Sequence, residues 1–134
     1  MKRPREDSQR WLRQAEHDLE TAKRLREWCP ADACYFAEQS SQKSLKAFLY
    51  FAGSRGEREH SVVFLAERCA EKDPSFSKFV DGANVLDQFY IATRYPDAVA
   101  DPAVPFESYT MDQAREAIRL ASEILEMVRT KIRV

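Results

Sequence analysis

Glycine and histidine are scarce in this chain, with three glycines and two histidines among 134 residues. No Gly-rich spacing that could cradle a phosphate is present, nor H-E-x-x-H, a Ser nucleophile elbow or a calcium loop. With His17 and His60 as the only imidazoles, a histidine-rich metal site within one chain is excluded. No metal or other cofactor is expected. Three cysteines, Cys29, Cys34 and Cys69, form no C-x-x-C pair and no zinc spacing. Cys69 falls on an apolar helical stripe and reads as a small core residue, whereas Cys29 and Cys34 read as flanking a turn. A reducing, cytoplasmic setting fits that usage. Long apolar runs are missing as well, so no membrane span is expected, and the charged beginning argues against a secretory signal. An excess of one charge is also absent. The net charge of −1 gives no general attraction to nucleic acid, which needs a strongly cationic surface. The basic group Lys2, Arg3 and Arg5 is a local exception, read as part of a flexible tail over residues 1–7.

What is present is helical periodicity. A chain of this length buries roughly two-thirds of its unfolded surface and forms one domain, 1–134. Trp11, Ala15, Leu19, Ala22 and Leu25 recur every three or four positions, which predicts a first helix from about Ser8, its N-cap, to Trp28. A second helix, about Asp32 to Ala52, is apolar over a wide arc and so is expected at the centre, closed by Gly53 in left-handed geometry. After a polar loop, flexible by composition, come a third helix (about Ser61 to Lys72) and a fourth (from Pro74 to about Arg94). Gly82 lies inside the fourth, where it costs about 1 kcal/mol relative to Ala and suggests a close helix contact. Pro96, Pro102 and Pro105 break the next segment. Thr110 and Gln113 have the spacing of a capping box, which starts a last helix from about Met111 to Ile132. The predicted fold is all-α, an antiparallel up-and-down bundle of about five helices. Two helices carry more apolar surface than one face can hide, which points to a homodimer, with a thick monomeric core as the alternative.

Two constellations could carry chemistry. In Arg55-Gly56-Glu57-Arg58-Glu59-His60, an imidazole able to take or give a proton near neutral pH follows a guanidinium able to clamp a phosphate. Those parts suffice for metal-independent RNA cleavage, in which a ribose 2′-hydroxyl attacks the adjacent phosphate. The plainer reading is a charged loop whose His60 caps the third helix. In Tyr90-Ile91-Ala92-Thr93-Arg94-Tyr95-Pro96-Asp97, Pro96 forces the preceding tyrosine out of helical geometry and leaves Arg94 near the negative end of a helix dipole. Arg94 could hold a phosphate there, with Asp97 within reach of the turn, while Tyr90 or Tyr95 stacks on a base. The plainer reading is a helix terminus and its pinned loop. His17, flanked by Glu16 and Glu20 on a polar face, reads as a solvated residue.

These segments resemble the HEPN domain family in its small stand-alone prokaryotic form. Trp11-Leu12-Arg13-Gln14-Ala15-Glu16-His17-Asp18-Leu19 is similar to that family's first helix. Ala37-Glu38-Gln39-Ser40-Ser41-Gln42-Lys43-Ser44-Leu45-Lys46-Ala47 is similar to its second. His60-Ser61 and Tyr90 with Arg94-Tyr95-Pro96-Asp97 match its later motifs, in order, from about Ser8 to Ile132. The resemblance implies a dimerising five-helix bundle, a minimal nucleotidyltransferase as partner in a toxin–antitoxin-like module, and a nucleotide-binding role. Some members are RNases with Arg and His four to six residues apart, a spacing that Arg55 and His60 satisfy. This chain departs from them in placing Gly56 after the arginine and the pair between the second and third helices. Three functions follow as expectations: a nucleotidyltransferase partner binding nucleotide or RNA phosphate through Tyr90, Arg94, Tyr95 and Asp97; a metal-independent RNase toxin using Arg55 and His60; or a purely structural dimerisation module.

Overall fold

A computed structural model describes residues 3–132. They form five α-helices: α1 (Pro4–Leu25), α2 (Pro30–Phe51), α3 (Val62–Lys72), α4 (Val80–Asp87) and α5 (Met111–Lys131). No strand occurs among the described residues, and the architecture is an all-α bundle. Among the described residues no helix is long and apolar enough to cross a membrane.

Helix α1 starts four residues ahead of Ser8, inside the segment expected to be a tail; of the basic group there, Lys2 lies outside the described residues. Pro4 suits the first helical turn because its missing N–H needs no partner, and Glu6 and Asp7 complement the dipole. Ser8 is therefore no N-cap. It is fully buried, and its Oγ donates to the Ala47 carbonyl at 2.7 Å, fastening α1 to α2. Ser40 repeats the device, donating to the Ala15 carbonyl at 2.8 Å. Residue numbers rise along one helix as they fall along the other, so α1 and α2 run antiparallel. Helix α1 stops at Leu25, short of Trp28, which is 79% exposed.

Helix α2 is central, packed against α1, α3 and α5. Ala33, Ala37, Ser40, Ser44 and Ala47 are all fully buried, and such small side chains let neighbouring backbones approach. Cys29 sits just before this helix and Cys34 within it, so the two do not flank a turn. All three thiols are free and buried, and burial pushes those of Cys34 and Cys69 up to about 12. Gly53 has a φ of +106°, the left-handed conformation that ends a helix without Cβ strain.

Residues 53–61 are tied down rather than loose. Glu57 is buried, and its carboxylate accepts from Ser54 and from Arg68 Nη1 at 2.5 and 2.6 Å. Ser61, not His60, caps α3, its Oγ accepting from the Phe64 N–H at 3.1 Å. Asp87, at the end of α4, assists from outside: it accepts from Ser61 Oγ and from the amides of Val62 and Val63.

The segment expected as one fourth helix is divided. Pro74–Phe79 is a 3₁₀ turn, in which three residues per turn bring the buried Phe76 and Phe79 to one face. Helix α4 then ends at Asp87, and Gln88, Phe89 and Tyr90 donate to carbonyls three residues back, tightening the chain into turns. Gly82 sits where an added Cβ would meet Leu120 Cδ2 of α5 at 2.7 Å, the close helix contact that its position suggested. The capping box of Thr110 and Gln113 is formed in both directions.

Candidate functional site

The two constellations that the sequence keeps apart are joined in space. Asp87 binds the start of α3, so His60, one residue ahead of Ser61, is carried to the turns that follow α4. Its ring stacks on Tyr90, with centroids 5.2 Å apart and planes 17° from parallel. The Arg94 guanidinium lies 5.1 Å from the same Tyr90 ring, 5.1 Å from Tyr95 and 4.5 Å from Tyr35, the last contributed by α2. Arg94 Nε donates to the Tyr90 carbonyl at 2.9 Å. No carboxylate pairs with this guanidinium among the described residues, so a half-buried cation rests on aromatic faces with most of its donors uncommitted.

Beneath it lies Glu38 of α2, fully buried. Its carboxylate accepts from Gln42 Nε2 at 2.5 Å and from Gln39 Nε2 at 2.9 Å. Burial pushes this carboxyl up to about 7, against the opposing pull of those two amides; nearby Asp87 raises it further and Arg94 lowers it. Gln42 links the carboxyl to the imidazole, since its Oε1 lies 3.4 Å from His60 Nδ1 and accepts from that nitrogen in the tautomer protonated there. The Tyr35 hydroxyl is also pushed up, chiefly by burial, with Arg94 pulling it back. Tyr35, Glu38 and Gln42 stand on one face of α2 at helical spacing, beneath the guanidinium.

The other predicted residues stand apart. Arg55 is exposed in the loop before α3 and makes no ion pair or side-chain hydrogen bond among the described residues. Asp97 is exposed in the short 3₁₀ turn Pro96–Ala98, likewise without such a partner there. Tyr95 is 52% exposed and presents an open ring face beside Arg94. His17 is exposed, as its polar surroundings suggested. The geometry thus gathers His60, Tyr90, Arg94 and Tyr95 and adds Tyr35, Glu38 and Gln42. The signal for the added residues was a Tyr, a Glu and a Gln on one line of a helix otherwise apolar over a wide arc.

Comparison with known proteins bears on the family and the fold. The model of the HEPN domain family matches residues 8–131. TT1696 from Thermus thermophilus has a similar structure, with 34% identity and a TM-score of 0.86 over 92% of this chain and 97% of that one. ST0689, an archaeal HEPN homologue, shows 33% identity and a TM-score of 0.76 over 94% of this chain and 98% of its own. Human sacsin is 23% identical over 127 residues, covering 89% of this chain, which spans about 3% of the length of sacsin.

Proposed function

We propose that this chain, which belongs to the HEPN domain family, binds a nucleotide or an RNA phosphate at Arg94 and serves as the helical partner of a minimal nucleotidyltransferase. The observation that carries the binding is the Arg94 guanidinium, held against Tyr35, Tyr90 and Tyr95 and paired with no carboxylate among the described residues. A phosphate supplies the missing counter-charge, and the half-exposed Tyr95 offers a face for a base. The partnership rests on the family resemblance. A homodimer belongs to the same proposal, supported by Phe64, Ile91 and Tyr95, which are 45%, 46% and 52% exposed and close in sequence to the site residues.

Calorimetry with mono- and dinucleotides tests the binding. Arg94→Ala is expected to lower affinity tenfold or more, whereas equal affinity in this variant would remove Arg94 from the site. Co-expression with a nucleotidyltransferase encoded beside this chain, followed by native mass spectrometry, tests the partnership and the dimer together. A chain that stays monomeric and alone would overturn both.

A second reading, metal-independent RNA cleavage, is favoured by one observation: His60 and Arg94 share Tyr90. His60 would move the proton and Arg94, rather than Arg55, would hold the phosphate. Cleavage of RNA in EDTA that disappears in His60→Ala and in Arg94→Ala, but not in Arg55→Ala, is the expected pattern. Cleavage unaffected by His60→Ala would exclude it.

A further inference from the structure

Gln42 stands between a carboxyl and an imidazole. It is 3% exposed and reaches both: Nε2 donates to Glu38 Oε2 at 2.5 Å, and Oε1 lies 3.4 Å from His60 Nδ1. An amide carries its donors at one corner and its acceptor at the other, so its role toward one neighbour fixes its role toward the second. Ionised Glu38 only accepts. Gln42 then turns its NH2 to the carboxylate and its oxygen to the ring, which keeps a proton at Nδ1. Nε2, on the far side of the ring, is left with a lone pair.

Protonated Glu38 reverses each step. Gln39 Nε2 donates to Glu38 Oε1 at 2.9 Å, so the oxygen free to hold a proton is Oε2, which faces Gln42. An O–H buried there needs an acceptor, because an unpaired buried donor is costly. Gln42 supplies one by turning over, Oε1 to the carboxyl and Nε2 to His60. The turn is a rotation about the last side-chain bond and exchanges two atoms of nearly equal size, so the packing around it is kept. Nδ1 must then accept, and the ring carries its proton at Nε2. The pair gains one proton in all: it enters at Glu38 from solvent, while the ring releases one at Nδ1 and binds one at Nε2.

We propose that Gln42 is a relay that turns over with the protonation of Glu38 and so decides whether His60 offers a ligand a lone pair or an N–H. The proposal rests on the reading that a phosphate binds at Arg94, and adds the regulation of that site. His60 and Arg94 share Tyr90. An N–H at Nε2 is therefore a second donor for the phosphate, whereas a lone pair there repels it. Neighbouring elements set the balance. From α4, Asp87 raises the Glu38 carboxyl, and Arg94 lowers it. Within α2, Glu38 acts on Tyr35 and on Lys46, the latter under Glu57 and Glu59 as well. From α1, Asp18 is held by Lys43 at 2.5 Å. Helices α3 and α5 bury no charged side chain. Glu59 adjoins His60 and accepts from its backbone N–H. With the Glu38 carboxyl at about 7, the relay turns over in the neutral range.

Glu38→Gln isolates the relay. The new amide gives its oxygen to Gln39 and its NH2 to Gln42, as the protonated acid does, and so holds Gln42 turned at every pH. Nitrogen-15 NMR of the two imidazoles reads the tautomer, with exposed His17 as internal reference. At pH 8.5, wild-type His60 is expected to carry its proton at Nδ1 and the variant at Nε2. Calorimetry with UMP reads the consequence. The variant is expected to bind about tenfold more tightly at pH 8.5, the effect of one added hydrogen bond to a charged group. The gap is expected to narrow as pH falls below about 6. Loss of a negative charge near Arg94 also tightens binding, so the comparison is repeated in His60→Ala, where most of the gain is expected to vanish. A gain that persists there in full, a gap constant from pH 5.5 to 8.5, or one tautomer in both proteins overturns the relay and leaves the Arg94 site standing. UMP affinity unchanged in Arg94→Ala overturns the Arg94 reading instead, and the tautomers then still decide whether Gln42 turns over.

Discussion

Helices α2 and α5 are nearly equal in length, 22 and 21 residues, yet they bury different kinds of side chain. Helix α5 hides Ala114, Ala117, Ile118, Ala121, Ile124, Leu125 and Val128, and nothing polar. Its charges stay on the surface; Arg115 pairs with Asp112 and Arg119 with Glu116 and Glu123 within the helix, while Arg129 and Lys131 near its end reach Glu16 and Asp73. Helix α2 buries Glu38, Ser40, Ser41, Gln42, Ser44 and Lys46 among its alanines and leucines. Removing a carboxylate or an ammonium from water costs several kcal/mol unless partners compensate, so a helix selected for stability alone would not carry both. The contrast divides the labour: α5 contributes apolar packing alone, whereas α2, the central helix, also gives up stability to support polar groups beneath Arg94 and beside Trp11.

The largest expected effect comes from opening the apolar side of that contrast. Leu125 is 1% exposed, and Leu125→Ala should cost about 2–5 kcal/mol, because the cavity collapses incompletely. Urea unfolding checks it. A loss below 1 kcal/mol would mean that the apolar face of α5 is not tightly packed.

On the polar side, Glu38→Gln should stabilise the protein, in a manner that depends on pH. The folded carboxyl stands at about 7 against an ordinary 4.5. Between those values the native state holds a proton that the unfolded chain has released. Stability from this group is therefore fully present below about pH 4.5, declines as pH rises, and is lost above about 7. A displacement of that size corresponds to about 3 kcal/mol at most. Glutamine stays neutral throughout and, like the protonated acid, presents one oxygen acceptor and a donor to Gln39 and Gln42. Variant and wild type should match near pH 4.5, and the variant should lead by up to about 3 kcal/mol at pH 8. A constant difference across that range would show that burial does not displace the carboxyl.

Most of the framework was legible because local rules govern it. The stripe of α1, the left-handed Gly53, the box of Thr110 and Gln113 and the close approach at Gly82 each depend on residues a few positions apart or on one missing side chain. Ser8 misled because a serine before an apolar stripe resembles a cap, and only the packing of α2 reveals its hydroxyl on Ala47. Phe76, Phe79, Ala83 and Leu86 fit α and 3₁₀ periods alike, so the division of the fourth helix was hidden. The residues His60, Tyr90, Arg94 and Tyr95 were visible singly, but not their meeting. That meeting depends on Asp87 reaching back to the start of α3, a contact between distant parts of the chain. Glu38 and Lys46 were least legible, since a charged residue in a helical pattern ordinarily faces water.

The smallest effects sharpen the comparison most directly. Ser40 donates to the Ala15 carbonyl from a fully buried position, and Ser40→Ala should cost about 1 kcal/mol because it leaves a buried acceptor short of its partner. Arg119 makes two ion pairs on α5, and counting contacts would rank it above Ser40. Its side chain is 56% exposed, however, and water and salt take over both pairs when it is removed. Arg119→Ala should leave the urea midpoint where it is at about 0.15 M salt, while Ser40→Ala lowers it. If Arg119→Ala proved the more costly, the surface charges of α5 would be structural in their own right.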